Sequence, residues 1–295
     1  MSLLEFLAEF TLGYRHYHLH LKRVAYRRVL TMRLKALIPL LCSCLCLLFL
    51  NACSEKEFDP NNPEKSFGIA KEPYDDENFD IAVTRLGEFK SRFPYSKFAA
   101  EAELLIANAK YELGHYTESA LSYEQFVKLH PKHPKADFAQ YRIGQSYWED
   151  APEAIDREQD YTLKAIKEWD KLIAKYPEST YVKEAKRLIA VGKRRVAESV
   201  LFVVRFYWKM ENAHACAYRS IQLADEYAEF SDIRLEAMDF AIKSLDRVAE
   251  RKAEDPKSDT NLYFKTMTSE QIKERANNFR KLLAGYRSSL PAEKH

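Results

Sequence analysis

Apolar residues recur every three or four positions along most of this chain, in short blocks that proline or glycine ends. Residues 106–131, "IANAKYELGHYTESALSYEQFVKLHP", show the pattern best. Two helical blocks flank Gly114, and Pro131 closes the second. This predicts a helical hairpin, because glycine accepts the positive φ of a reversal and proline cannot continue a helix. Three segments align on such a proline: "FPYSKFAAEA" (93–102), "HPKHPKADFA" (130–139) and "YPESTYVKEA" (176–185). Each carries an alanine eight residues after the proline, and the prolines stand 37 and 46 residues apart. Repeats of this length stack into solenoids, since one hairpin cannot bury its apolar face alone. Almost nothing between 64 and 288 alternates as a strand would.

The hairpins resemble tetratricopeptide (TPR) repeats. In the second, Ile106 and Ala107 take helix-packing positions, Gly114 the turn, and Tyr123 and Phe126 the contact between helices. Ser119 stands where alanine is usual. The first unit fits with Ile69, Ala70, Phe79, Ala82, Leu86 and Phe89, the third with Ile143, Gly144, Tyr147, Ala165, Trp169 and Leu172. The third carries nine extra residues between its helices, around "EDAPEAIDREQD" (149–160), which read as an enlarged loop. The fourth is degenerate, with helices expected at about Ile189 to Trp208 and Asn212 to Tyr227. A fifth opens at "IRLEAMDFAIKSLDRV" (233–248), is broken by "AEDPKSDTN" (253–261), and resumes in a helix capped by Thr268 or Ser269. The expected fold is all-α, a TPR-type α-solenoid of about five helix-turn-helix repeats. Its units fall at about 64–94, 98–131, 135–177, 181–228 and 231–288, with a tail at 289–295.

The N-terminal region has a different pattern. Ala36 to Leu50, "ALIPLLCSCLCLLFL", is 15 apolar residues interrupted by Pro39. A membrane-spanning helix needs roughly 20, whereas a signal-peptide core is shorter and follows positive charge, here Arg33 and Lys35. Met32 reads as the natural start of that signal, 32–52, and residues 1–31 as an extension, either a start assigned too early or a cytoplasmic leader. The run ends in Leu50-Asn51-Ala52-Cys53, which resembles the lipobox of bacterial lipoproteins. The resemblance implies cleavage before Cys53, a diacylglycerol on its sulfur and an acyl group on its amine. One chain anchors only marginally, and each buried CH₂ adds ~0.8 kcal/mol, so three chains hold firmly. Ser54 follows the cysteine, which in enteric bacteria favours the outer membrane. Residues 53–63, through "SEKEFDPNNP", read as a flexible tether.

That reading changes the charge and the cysteines. The chain has 46 basic and 44 acidic residues; residues 1–52 hold seven and two, leaving 39 against 42. A net of −3 in 53–295 gives no electrostatic case for nucleic acid. Cys42, Cys44 and Cys46 leave with the signal and Cys53 carries lipid, so Cys216 remains as a single thiol and no internal disulfide forms.

Candidate chemistry is sparse. Projecting repeat positions onto the groove face of the first helices selects Phe67, Lys71 and Tyr74, then Leu104, Asn108 and Tyr111, then Phe138, Tyr141, Gln145 and Trp148. Aromatic platforms with interleaved amides suit an extended, aromatic-rich peptide. The same aromatics equally suit core between repeats, since Tyr and Phe total 35. His130 and His133 sit in a turn without converging ligands, and Cys216 reads as a buried thiol. "GKRRVAE" (192–198) reads as a solvated basic face. There is no phosphate loop or nucleophile elbow, so no enzyme and no cofactor beyond the covalent lipid is expected.

The third unit, "DREQDYTLKAIKEWDKLIAKYPESTYVKEAKRLI" (156–189), resembles the BamD (YfiO/ComL) family of TPR lipoproteins in outer-membrane β-barrel assembly. The matching residues are Asp156, Arg157, Gln159, Ala165, Trp169 and the Tyr176–Tyr181 motif. "HPKHPKADFAQYRIG" and "VAESVLFVVRFYWKMENAHACAYRS" fit its second junction and fourth unit, so the likeness spans about 64 to 250, without the "AEDPKSDTNLYFKTM" segment. The resemblance implies a lipid-anchored protein on the periplasmic face of the outer membrane. Its first repeats would receive the amphipathic, aromatic-ended C-terminal signal of unfolded outer-membrane proteins. Its last would dock the final periplasmic (POTRA) domain of the barrel subunit BamA, with Arg219 matching the arginine that pairs with an acid there, beside other assembly lipoproteins. A different TPR envelope lipoprotein, such as a secretion-system pilot, and a periplasmic enzyme with a TPR accessory region are the alternatives.

Overall fold

Helices stop where the sequence puts proline after an aromatic residue or histidine, and three of the reversals within repeats pass through a residue of positive φ, Glu77, Gly114 and Glu211. The computed structural model describes residues 56–256 and 263–289. Residues 1–55, with the expected signal segment and lipid-bearing Cys53, lie outside the described residues. Ten helices occur among those described: α1 (Pro63–Asp75), α2 (Phe79–Arg92), α3 (Ala99–Glu112), α4 (Tyr116–Leu129), α5 (Ala136–Asp150), α6 (Asp160–Lys175), α7 (Val182–Lys209), α8 (Ala213–Glu226), α9 (Ser231–Glu254) and α10 (Ser269–Ser289). Each packs on its neighbours in sequence, and α1 also meets α3 and α7 meets α9. The fold is an all-α TPR-type solenoid of five helix pairs. None of the described helices is long and apolar enough to cross a membrane.

The reversals within repeats one, two and four share one geometry. Glu77 (φ 59°), Gly114 (φ 75°) and Glu211 (φ 57°) are left-handed. Their amides donate to the carbonyls of Tyr74, Tyr111 and Trp208, while those of Asn78, His115 and Asn212 reach back to Pro73, Lys110 and Tyr207. These paired bonds satisfy carbonyls that a helix end leaves open. Only Gly114 announces this in the sequence; Glu77 and Glu211 carry a Cβ in a conformation that glycine adopts freely. In the third repeat a buried glutamine does the work. Gln159 Nε2 donates to the carbonyls of Ala154 (3.1 Å) and Arg157 (3.2 Å), and its Oε1 accepts from Thr162 (2.7 Å). The extra residues are therefore an ordered loop.

The junctions between repeats also repeat a device. Ser96 Oγ, His133 Nδ1 and Ser179 Oγ each accept the amide two residues on, at 3.3, 3.1 and 3.3 Å. His133 thus performs the capping role of the two serines, and burial lowers its pKa, consistent with a neutral ring whose Nδ1 accepts. Small residues mark where paired helices cross. Ala82 is fully buried, Ser119 Oγ donates to Ala107 O (2.8 Å) and Cys216 Sγ to Val204 O (3.6 Å), so the Cys216 thiol fills a packing position.

The structure revises two expectations and adds partners to a third. Phe58, placed by sequence in the flexible tether, is buried against Phe89 and beneath Arg85 and Arg92. Ser66 Oγ also donates to Asp59 O, so the order begins before α1. Helix α7 runs 28 residues and starts well before Ile189. The basic run on α7 is exposed at Lys193 and Arg194, as expected, and is also paired: Arg194 with Asp232 of α9 at 2.6 Å and Lys193 with Glu229 in the turn before α9 at 3.8 Å, while Arg195 covers Trp148 of α5. These exposed pairs orient the two helices more than they stabilise them.

The tightest approach is between α5 and α6. Trp169 is fully buried, and a Cβ on Gly144 would lie 2.4 Å from its Nε1. Gly144→Ala is expected to cost about 1–3 kcal/mol by overpacking, because the indole has no free space to retreat into. A thermal melt followed by circular dichroism checks this; an unchanged midpoint would mean the indole has another position.

Candidate functional site

Three aligned positions on the first helices carry the candidate peptide-binding residues, and the structure separates them. The position of Phe67, Leu104 and Tyr141 points into the core, with exposures of 7%, 2% and 8%. Phe67 stacks on Phe98 at 4.9 Å and Leu104 joins the large cluster, so neither lines a groove. In a solenoid a first helix is covered by its own partner and by the next repeat, and this position faces that second contact.

The position of Lys71, Asn108 and Gln145 is polar and half-buried. Lys71 pairs with Asp75 at 2.7 Å, Asn108 accepts the Tyr123 hydroxyl, and Gln145 Oε1 accepts from Arg142 Nη1 at 3.2 Å. The position of Tyr74, Tyr111 and Trp148 holds half-buried rings. Tyr74 meets Phe79 edge-on at 5.6 Å and Tyr111 meets Tyr116 at 5.1 Å. Trp148 leans on Trp169 at 5.9 Å under Arg195, as part of the α5–α6–α7 packing.

Three of the ten residues, Tyr111, Phe138 and Gln145, touch a side chain that the sequence projection missed, Arg142, and Asn108 joins them through Tyr123. Its guanidinium carbon lies 3.6 Å above the Tyr111 ring, with Tyr123 at 6.0 Å and Phe138 at 5.9 Å. Its Nε donates to Tyr123 Oη at 3.2 Å. Tyr123 in turn holds Asn108, and Phe138 meets Tyr123 edge-on. Tyr181, from the turn before α7, stacks on Tyr141 at 4.9 Å and 16° and tilts on Phe138, so the third junction closes one side of the cluster. The signal for Arg142 lay in the repeat alignment, where a cation replaces Gly68 and Leu105.

The electrostatics follow from burial. Tyr123 is pushed up to about 12 chiefly by burial, against the pull of Arg142. Tyr111 is raised to about 12 by burial and then by Glu149. Burial opposes the charge on Arg142, but Tyr123, Tyr111 and Glu112 outweigh it and raise its pKa. The result is a ring-lined surface with one fixed cation, two phenols that stay protonated, and amides with hydrogen-bonding capacity. Among the described residues no three His, Cys, Asp or Glu side chains converge as metal ligands.

Arg219 is separate, exposed on α8 with its guanidinium 5.7 Å from the Tyr207 ring. Tyr207 meets Phe206, and Phe202 and Phe206 on α7 with Met210 at its C-cap form an exposed stripe at four-residue spacing, with exposures of 41%, 50% and 62%. The sequence reading named Arg219 without this stripe.

The raised phenols predict alkaline sensitivity. An ordinary tyrosine titrates near 10.0 and Tyr123 near 12 in the fold. Its contribution is complete below about 10 and is lost as pH rises towards 12, because only the unfolded chain ionises there. Tyr123→Phe should flatten the fall in melting temperature across that window.

Comparison with known proteins gives the family. The family described as "YfiO: Outer membrane lipoprotein" matches residues 60–258, more than half of the chain. "Outer membrane protein assembly factor BamD" of Neisseria gonorrhoeae is 25% identical over 195 residues, covering 62% of this chain and 73% of that protein. The protein of the same name from Vibrio cholerae is 25% identical over 194 residues, covering 63% and 80%. Among solved structures, the TPR2AB domain–pHSP90 complex of yeast Sti1 is similar at a TM-score of 0.38 and 14% identity, over 77% of this chain and 87% of that one. By its match over most of the ordered repeats, the chain belongs to the YfiO family of outer membrane lipoproteins, whose curated relatives are the BamD assembly factors.

Proposed function

We propose that this chain is a non-enzymatic scaffold of outer-membrane protein assembly, held by lipid on Cys53 at the periplasmic face of the outer membrane. It would work through two surfaces. The ring-lined surface around Arg142 receives the amphipathic, aromatic-ended signal of an unfolded outer-membrane protein. The α7–α8 surface around Arg219 docks the barrel subunit BamA, alongside other assembly lipoproteins.

The observation that carries this reading is the exposed stripe of Phe202, Phe206 and Met210, which Tyr207 links to Arg219: its ring meets Phe206 at 5.8 Å and lies 5.7 Å from the Arg219 guanidinium. Three large apolar side chains at one helical spacing, all exposed, form a surface that gains by leaving water. A cation on its rim adds selectivity for a partner that offers a carboxylate. Relatives named as assembly factors supply the context.

Arg219→Glu should sharply reduce the BamA-like barrel protein recovered with the chain from detergent-solubilised envelope, with an unchanged circular dichroism spectrum. Full recovery counts against the docking surface, and recovery of a different partner in place of the barrel supports a secretion-system pilot. The anchor has its own check: labelled palmitate should enter the chain and fail to enter after Cys53→Ala.

A further inference from the structure

Arg142 is a largely buried cation whose pairing is incomplete. Its side chain is 16% exposed, and the nearest carboxylate, Glu112, stands 3.6 Å from Nη2, beyond hydrogen-bond length and 48% exposed. Its hydrogen bonds are to neutral acceptors, Tyr123 and Gln145. A buried charge ordinarily takes a counter-ion at hydrogen-bond distance, because desolvation is costly without one. Here Nη2 has no acceptor at that distance, while Nε and Nη1 are anchored and the plane is held over Tyr111. A guanidinium fixed on one side and open on the other has the geometry of an anion receptor.

We propose that Arg142 binds the free C-terminal carboxylate of the chain received at this surface. The inference rests on the peptide-receiving reading above and adds the group that is read and the residue that reads it. Two observations favour a chain terminus over an acidic stretch. Glu112 and Glu149 flank the Tyr111 side of the cluster, so a ligand with several negative charges would be repelled where a single one is drawn to Arg142. The rings of Tyr111 and Phe138 lie beside the cation, so a terminal carboxylate on Arg142 leaves the last side chain against aromatic faces. Binding moves Glu112 outward, and its exposure permits this.

The test uses the full chain in detergent with a fluorescent synthetic peptide of alternating apolar and polar residues ending in phenylalanine. The peptide is made as free acid, as C-terminal amide, and as free acid with its one internal aspartate changed to asparagine. Wild type should bind the acid about tenfold more tightly than the amide, the size of one charge-assisted pair. Aspartate replacement should have no effect. Arg142→Gln should abolish the difference between acid and amide binding. Glu112→Gln, at a half-exposed position, should tighten binding of the acid alone, which keeps the test independent of the folding of Arg142→Gln. Equal binding of acid and amide by wild type, or dependence on the internal aspartate, overturns this inference and leaves the peptide-receiving reading standing. Failure of wild type to bind any of the three overturns both.

Discussion

Trp169 lies against the backbone of α5 at Gly144, and the middle of the solenoid is built around that contact. The indole fills the place that Leu86 and Tyr123 fill in the preceding repeats, where the opposing residues are Ala70 and Ala107. As the side chain on the second helix grows, the residue beneath it shrinks to hydrogen. The buried indole N–H donates to Tyr141 O at 3.3 Å, so the contact fixes depth and also the rotation of α5 about its axis. That rotation places Arg142, the next residue, over Tyr111 on α3. The packing constraint and the candidate site are thus consecutive residues of one helical turn.

The site combines a departure from the repeat with a recurrence. Arg142 stands where the earlier repeats have Gly68 and Leu105, whereas the Tyr181–Tyr141 stack recurs from Phe98 on Phe67 in the first repeat. Both have local support: Tyr123 and Gln145 hold the guanidinium, and Tyr141 and Phe138 hold the Tyr181 ring. A network whose members orient each other loses little entropy when a ligand arrives, which suits a receptor for flexible chains.

Much of the fold was legible in the sequence because proline, glycine and capping residues act over a few positions. Gly114, the three junction prolines and the small residues at helix crossings mark features the structure contains. Glu77 and Glu211 carried no such mark, since their left-handed backbone is imposed by the helices they join. The groove was less legible for a geometric reason. A first helix in a solenoid buries two faces, so helical periodicity says that Phe67, Leu104 and Tyr141 are apolar without saying which side covers them. Arg142 escaped a projection that sought aromatics and amides; comparing repeats for charge would have found it. Phe58 escaped because the acidic and polar residues around it outweighed a single aromatic.

The length of α7 gives the two proposed surfaces a common base. Near its start Gly192 lets Ile166 and Trp148 approach, and Arg195 covers Trp148 from the same helix. Further along, Val196, Ala197, Leu201 and Val204 stay buried while Phe202, Phe206 and Met210 emerge on another face. One helix therefore joins the packing that supports Arg142 to the stripe beside Arg219, with Arg194–Asp232 and Arg205–Glu236 orienting it against α9. The helix runs without interruption over 182–209 and contains no proline to kink it. On the proposed reading, a chain received at the first surface would be linked through one helix to a partner on the second, which is what a scaffold without chemistry of its own can contribute to assembly.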